Sequence, residues 1–391
     1  MNDSGGPTRV SILGATGSIG SSTLRVLTHN PEQFAVVSLV AQRNVERLAE
    51  IALRTRAEFV AIADERQFAA LKDHLSGSSI EVGAGGEAVI EAASRRADVV
   101  VSAITGYAGL RSTLAAARSG ANLALANKEA MVTAGTMVRA ALAKGGGALI
   151  PVDSEHAALF QSLWGQDRDA ITQLILTASG GPFRTWSKED IQQAAPDQAL
   201  KHPNWDMGAK VTIDSASMMN KGLELIEAQQ IFDIAPDRLD VVVHPQSIVH
   251  SLVAYHDGGQ LAQLGVPDMQ TPISAALRWP KRTKTSVPPL DLAQYGSLTF
   301  EPPDRDRFPC LALAEAAMRH GGAAPIAMNA ANEVAVRAFL DGAFRFGGIP
   351  QVVSEVLDQT VAEAPVSLDE IAVIDADSRT KAHAAVAKFS K

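Results

Sequence analysis

The chain has a single cysteine, Cys310, in 391 residues. That excludes an internal disulfide framework and a cysteine-rich zinc site, and it suits a reducing compartment. Aromatic residues are scarce, at 5%, and no basic run interleaved with aromatics occurs; with a formal net charge of −8, this argues against a nucleic-acid-binding surface. No apolar run approaches the ~18 residues that a membrane span needs. The opening Met1-Asn-Asp-Ser-Gly-Gly-Pro-Thr8 is short and polar, unlike a signal or transit peptide. The expectation is a soluble, cytoplasmic protein that binds neither nucleic acid nor membrane. Hydrophobic residues make up 46%, ample for real cores, and the length suggests two or three domains.

Two separated segments carry the chemistry. The first is Pro151-Val-Asp153-Ser154-Glu155-His156. Asp153 and Glu155 stand two apart, so on an extended backbone both carboxylates point to the same side. The second is Asp214-Ser-Ala-Ser-Met-Met-Asn220-Lys221-Gly-Leu-Glu224. Asn220, Lys221 and Glu224 lie at helical spacings, so one face carries an amide, a cation and a carboxylate. Three carboxylates that converge would form a hard divalent-cation site, for Mg²⁺ or Mn²⁺ with Co²⁺ as a third candidate. The neighbouring lysine, serines and asparagine suit an anionic substrate such as a phosphate. Either segment alone could equally be a solvated surface; Glu227, one turn beyond Glu224, ranks below it as a ligand.

A nucleotide signature upstream favours the metal reading. Arg9–Leu13 reads as a buried strand, Gly14-Ala-Thr-Gly17-Ser-Ile-Gly20 as a glycine turn, and Ser21–Leu27 as a helix. That context lets a pyrophosphate approach the backbone and meet a helix N-terminus. The spacing is G-x-x-G-x-x-G, a variant of the usual fingerprint. The second strand, Phe34–Ala41, is followed by Gln42-Arg43-Asn44, with no acid for a free 2′-hydroxyl. An arginine there can pair with a 2′-phosphate, so NADPH is expected over NADH; the alternative is an Arg43 that merely caps a solvated loop.

Residues 1–150 alternate apolar runs (Phe59–Ala63, Asp98–Ala103, Asn122–Ala126) with helical patterns, and Ala148–Val152 adds another strand after Gly145–Gly147. This implies parallel βαβ units with helices on both faces. Lys128, just past a strand end, is a candidate for contact with cofactor or substrate, or a surface lysine at a helix start. Residues 151–290 read as a mixed sheet, with strands at Ile171–Thr177, Lys210–Ile213, Asp240–His244 and Ser251–Tyr255 turning through His256–Gly259 into Gln260–Leu264. The polar stretch of about 180–208 reads as a lid carrying Trp205 and Met207, or as an ordinary insertion. From about 281 to 310 the chain is proline-rich, with the linker set at 291–310. Helical patterns follow at Leu311–His320, Ile326–Leu340, Ile349–Glu363 and Asp377–Phe389, giving a C-terminal domain over 311–391. The fold class is therefore α/β: a Rossmann-like NADPH-binding domain, an α+β catalytic or connective domain, and a C-terminal α-helical bundle. Cys310 is expected to be packed apolar surface.

In order along the chain, GATGSIG (14–20), ALANKEA (124–130), PVDSEH (151–156), SGGPF (179–183), HPNWDMG (202–208), DSASMMNKGLE (214–224), HPQSIVH (244–250) and MNAANE (328–333) resemble the 1-deoxy-D-xylulose 5-phosphate reductoisomerases of the non-mevalonate isoprenoid pathway. Ala15 and Ser217 replace other small residues, Arg43 stands where the family often has lysine, and MNAANE replaces LNAANE. The arginine keeps the charge but changes the geometry of phosphate contact.

The resemblance implies a homodimer of three-part subunits. The implied reaction rearranges the ketose phosphate to a branched aldehyde and reduces it to 2-C-methyl-D-erythritol 4-phosphate. It also implies roles. Asp153, Glu155 and Glu224 would hold the cation. Ser179, Ser215, Asn220 and Lys221, with His202, would hold the phosphate, and Ser154 the substrate backbone. Gly14, Thr16, Gly17, Ser18, Ile19, Gly20, Arg43, Asn44, Ala103, Asn127, Lys128, Glu129, Gly208 and Met269 would line the cofactor. Lys128 would favour ionised carboxylates and position reacting oxygens. His156 and His250 could each shuttle a proton, although singly such histidines are more often structural hydrogen-bonders. The rival readings are an NADP-dependent dehydrogenase of homoserine or semialdehyde type and a non-enzymatic NADPH sensor. The semialdehyde type needs a positioned cysteine nucleophile, and neither the homoserine type nor the sensor accounts for the acidic residues.

Overall fold

A computed structural model describes residues 6–203, 205, 207–361 and 363–390. By compactness these fall into two units, Met1–Ala130 with Thr136–Ala157 and Asp268–Pro288, and Met131–Gly135 with Ala158–Pro267 and Pro289–Lys391.

The first unit is built on seven parallel strands: β1 (Thr8–Leu13), β2 (Phe34–Ala41), β3 (Phe59–Ile62), β4 (Glu81–Ala84), β5 (Val99–Ser102), β6 (Asn122–Leu125) and β7 (Leu149–Pro151). Their order is β4-β3-β2-β1-β5-β6-β7. The chain winds outward from β1 to β4 and returns to β5, so the sheet reverses direction between β1 and β5, the crevice where such sheets bind ligands. Val10, Ile12, Leu39, Val100 and Leu123 are buried, as the near-continuous apolar runs of a sheet covered on both faces require. The expected strands all appear; β4 is an addition, too short and polar to stand out. Asp268–Pro288, expected in the second region, belongs to this unit. Its helix Gln270–Arg278 packs on the Ser18–His29 helix, Arg278 donates to Gln33 at 2.7 Å, and Asn30 donates to the Lys284 carbonyl at 2.8 Å.

The second unit holds a four-stranded sheet of β8 (Ile171–Ala178), β9 (Leu239–Val243), β10 (Val249–Tyr255) and β11 (Gln260–Leu264), in the order β11-β10-β8-β9. β8 and β9 are parallel; the expected β10–β11 hairpin is antiparallel. Helices from Pro309 onward share one apolar core with this sheet, including Phe183, Leu223, Leu311, Phe339 and Val352. The rings of Phe183 and Phe346 meet edge-on with centroids 4.9 Å apart.

The structure departs from four local expectations. Lys210–Ile213 lies in a helix, Ala209–Ala216, where Lys210 and Asp214 pair at 2.8 Å across one turn; the apolar Val211 and Ile213 mimic a strand only over four residues. The 180–208 stretch is not one open loop: helices Lys188–Gln193 and Pro196–Ala199 bury Ile191 and Ala199 in the core. Asn204 and Asp206 of HPNWDMG lie outside the described residues. The last helix starts at Leu368, well before Asp377, because Ser367 accepts from the Glu370 amide while the Glu370 carboxylate accepts from the Val366 amide. This is close to the reciprocal capping that S-x-x-E encodes. The Gly348–Leu357 helix stops short of the expected Glu363.

Close packing sets the helix that carries the second chemical segment. A Cβ on Gly222 would lie 2.2 Å from the Ala314 Cβ of the Pro309–His320 helix. Alanine would gain about 1 kcal/mol of helix propensity, but overpacking at such a distance costs about 1–3 kcal/mol. Gly222→Ala is therefore expected to lower the urea denaturation midpoint; an unchanged or higher midpoint would contradict this packing.

Candidate active site

In the first unit the predicted residues gather at the carboxyl edge of the parallel sheet. Gly14 ends β1 with a φ of +95°, and its amide and that of Ala15 donate to the Val40 carbonyl at 3.0 and 2.7 Å. A Cβ on Gly14 would sit 2.6 Å from the Ala103 carbonyl oxygen, and one on Gly20 2.4 Å from that of Gly14. Gly14 thus makes the turn and Gly20 seats the helix on it, while Gly17 and Ser18 are exposed and Thr16 and Ile19 half-buried. Gly17 caps the Ser18–His29 helix without a side-chain hydrogen bond, which leaves its first amides for a ligand.

Arg43, past β2, is 68% exposed and 3.3 Å from Asp64. Asn44 uses its side-chain oxygen to cap the next helix, accepting from Arg47 at 3.1 Å. Asn127 is likewise occupied by backbone. It accepts from the Ala130 amide at 2.6 Å and donates to the carbonyls of Gly106, at 2.9 Å, and Ile104. Glu129 is buried, and Met269 is half-buried at the start of its helix.

The acidic segment differs from its extended reading. β7 ends at Pro151 and a helix begins at Ser154, with the Ala157 amide donating to the Asp153 carbonyl at 2.8 Å. Asp153 and Glu155 come together through a helix start instead of a strand: their carboxylate oxygens approach within 4.8 Å of one another. Lys128 lies 2.5 Å from Asp153, with side chains only 11% and 17% exposed. Ser154 donates to Glu155 at 2.5 Å, and the buried His156 ring is 4.0 Å from Asp153. Two half-buried carboxylates this close need positive charge, and the donors are all hard oxygens. The pair therefore fits a divalent cation.

In the second unit, residues distant in sequence surround the Ala209–Ala216 and Met219–Phe232 helices. Gly181 has a φ of +64°, and a Cβ there would meet the Ser215 carbonyl at 2.8 Å. This lays the Ser179 turn directly against Ser215. Ser179 Oγ is 3.1 Å from His202 Nε2, and His202 Nδ1 accepts from the Trp205 amide at 2.9 Å. The acceptor role of Nδ1 assigns the ring proton to Nε2, so His202 donates to Ser179. Trp205 lies tilted over His250, with ring centroids 6.4 Å apart. Met207 is half-buried and Gly208 precedes the Ala209–Ala216 helix. On the Met219–Phe232 helix, Asn220 and Lys221 both donate to the buried Glu224, as their spacing predicts. Glu227 is buried one turn on.

One network was not anticipated. Asp214, almost fully buried, accepts from Asn332 at 2.8 Å as well as pairing with Lys210. Both residues sit inside the motifs named above, but nothing in spacing links positions so far apart. Cys310 is buried, and desolvation pushes its thiol up to about 12; it is inert, as expected.

These features are those of a doubly wound α/β chain with a glycine turn at its switch point. Residues 10–135 match the family described as 1-deoxy-D-xylulose 5-phosphate reductoisomerase, 149–232 its C-terminal domain, and 264–381 the DXP reductoisomerase C-terminal domain. The enzyme of that name from Bradyrhizobium diazoefficiens is 53% identical, over 93% of this chain and 92% of its own length. That from Rhodopseudomonas palustris is 52% identical over 96% and 93%. The solved Zymomonas mobilis reductoisomerase in complex with NADPH superposes with a TM-score of 0.92, at 47% identity, covering 97% of this chain and 99% of that one. A DOX-P reductoisomerase in complex with NADPH, fosmidomycin and magnesium gives 0.91 at 42%, covering 97% and 98%. The chain belongs to the 1-deoxy-D-xylulose 5-phosphate reductoisomerase family. No helix among the described residues is long and apolar enough to cross a membrane.

Burial lowers His250 and His202 to about 4; in the unfolded chain they titrate near 6.5. Between these values the unfolded state takes up the protons and the folded state does not. Their contribution to stability is therefore complete above about 6.5 and is lost as pH falls towards 4. Denaturation midpoints should fall over this window, less steeply in His250→Gln; an identical slope would contradict the buried, neutral ring.

Proposed function

We propose that the chain converts 1-deoxy-D-xylulose 5-phosphate, NADPH and a proton to 2-C-methyl-D-erythritol 4-phosphate and NADP⁺, in the non-mevalonate isoprenoid pathway. The observation that carries this is family membership over almost the whole chain, joined to a glycine turn and an oxygen-donor pair that fit the two implied groups. NADPH-bound and magnesium-bound relatives support the same cofactors here. Cytoplasmic location and a homodimer complete the reading, supported by the single cysteine and by the family resemblance.

Asp153, Glu155 and Glu224 hold the cation. The turn of Gly14, Thr16, Gly17, Ser18, Ile19 and Gly20 receives the pyrophosphate, and Arg43 the 2′-phosphate. When bound, the cation supplies Lewis acidity and NADPH a hydride. The chain supplies position and charge. Lys128 compensates Asp153, so that the two carboxylates are held close at a tolerable cost. Lys221 and Asn220 orient Glu224 and, with Ser179, Ser215 and His202, bind the substrate phosphate. Because His202 donates through Nε2, it and Ser179 present a hydrogen-bonding pair and not a bare charge. Ser154 hydrogen-bonds the substrate backbone. Trp205 and Met207 cover the substrate and exclude water from the aldehyde stage. His156 or His250 moves a proton; burial, which lowers His250 to about 4, makes it a weaker base and lets it hold a proton only briefly. Ala103, Asn127, Glu129, Gly208 and Met269 line the cofactor, with Asn44 and Asn127 acting through the backbone they hold.

Absorbance at 340 nm tests this directly. Oxidation of NADPH is expected only with both the ketose phosphate and Mg²⁺ or Mn²⁺, and EDTA should abolish it. Glu224→Gln should lower kcat by about 10²-fold, the scale of losing one transition-state stabiliser. Metal-independent oxidation would overturn the cation site; no oxidation at all would overturn the reaction.

A further inference from the structure

The carboxyl ends of β2 and β3 are stitched together beyond the strands. The Ala63 amide donates to Ala41 at 2.9 Å and the Asp64 amide to Gln42 at 3.0 Å. This brings a second arginine beside Arg43. Arg66 grips Asp64 with two parallel bonds, Nε to Oδ1 at 2.8 Å and Nη2 to Oδ2 at 2.7 Å. Arg43 approaches the same carboxylate at 3.3 Å. Asp64 is only 11% exposed, whereas Arg66 is 77% exposed. The group carries two guanidinium charges against one carboxylate, a net positive site facing solvent at the strand ends. The pair of arginines holds the Asp64 carboxyl down at about 2, Arg66 contributing most.

We infer that Arg66 is a second determinant of 2′-phosphate recognition, with Asp64 as the clip that holds Arg66 and Arg43 in one orientation before the cofactor arrives. This rests on the NADPH reading above. A guanidinium has five N–H donors, and Asp64 occupies two of those on Arg66; the others can serve a phosphate. Pre-oriented side chains lose less rotamer entropy on binding. An arginine fork also matches phosphate oxygens better than a lysine point charge. The signal was present in Ala63-Asp64-Glu65-Arg66, but nothing local says that the end of β3 lies against the end of β2.

Direct binding separates this from a structural role. Adenosine 2′,5′-bisphosphate and AMP share an adenosine 5′-phosphate and differ by the 2′-phosphate, so each is titrated calorimetrically against the full chain, its Arg66→Gln and Arg66→Lys variants, and Arg43→Gln. The expectation is that Arg66→Gln weakens the bisphosphate about tenfold, the size of one lost charge-assisted hydrogen bond. AMP affinity and thermal midpoint should stay unchanged, and Arg66→Lys should fall between. Retained preference for the bisphosphate in Arg66→Gln, with loss in Arg43→Gln, would overturn the role of Arg66 and leave the cofactor reading standing. Equal weakening of both ligands would assign Arg66 to structure instead. A wild-type chain without preference would overturn this inference together with the NADPH reading.

Discussion

The parallel register of the seven-stranded sheet is the constraint on which the first unit depends. Parallel strands all end on one edge, so whatever follows each strand is delivered to the same rim. Gly14 follows β1, Arg43 follows β2, Asp64 follows β3, Ala103 follows β5, Lys128 follows β6 and Asp153 follows β7. Residues as far apart in sequence as Gly14 and Ala103 become direct neighbours, and Asp153 is delivered to the same rim. The reversal between β1 and β5 opens the crevice, and Gly14 is small because the Ala103 carbonyl lies directly against it.

The second requirement is charge compensation. Removing a carboxylate from water is costly unless a cation accompanies it. Asp153 has Lys128 at 2.5 Å, Asp214 has Lys210 at 2.8 Å, and Glu224 has Lys221 one turn away. Two of these lysines stand three or four residues from their partner on one helix, the spacing at which side chains meet. The first joins two strand ends. Asp214 also ties two helices together. By accepting from Asn332 it fixes the Ala209–Ala216 helix to the Ala324–Leu340 helix that carries MNAANE. The helix bearing Ser215 is thereby anchored by the residue immediately before that serine.

Much of this was legible in the residues. Strand, glycine turn and helix can be read from local pattern, and β1, β2, β5 and β6 fall close to where apolar runs place them. The shared face of Asn220, Lys221 and Glu224 follows from helical spacing alone. The Asp153–Glu155 pair was right in outcome and wrong in cause, since spacing of two brings side chains together on a strand but here a helix start does it. Val211 and Ile213 misled because four residues cannot separate a strand from a helix whose Lys210–Asp214 pair becomes visible only over five. The Asn332–Asp214 bond and the approach of Arg43 to Asp64 were illegible for another reason: these pairs are set by topology, which no short window of sequence contains.

The most direct test of the account follows the fate of one hydrogen. With the ketose phosphate, Mg²⁺ and NADPH deuterated at the transferable nicotinamide position, the product should be a branched tetrol phosphate carrying a single deuterium on carbon, with the phosphate retained. NADPH oxidised without deuterium appearing in the sugar product, or a product with an unbranched carbon chain, would contradict the assignment of this chain to a coupled rearrangement and reduction.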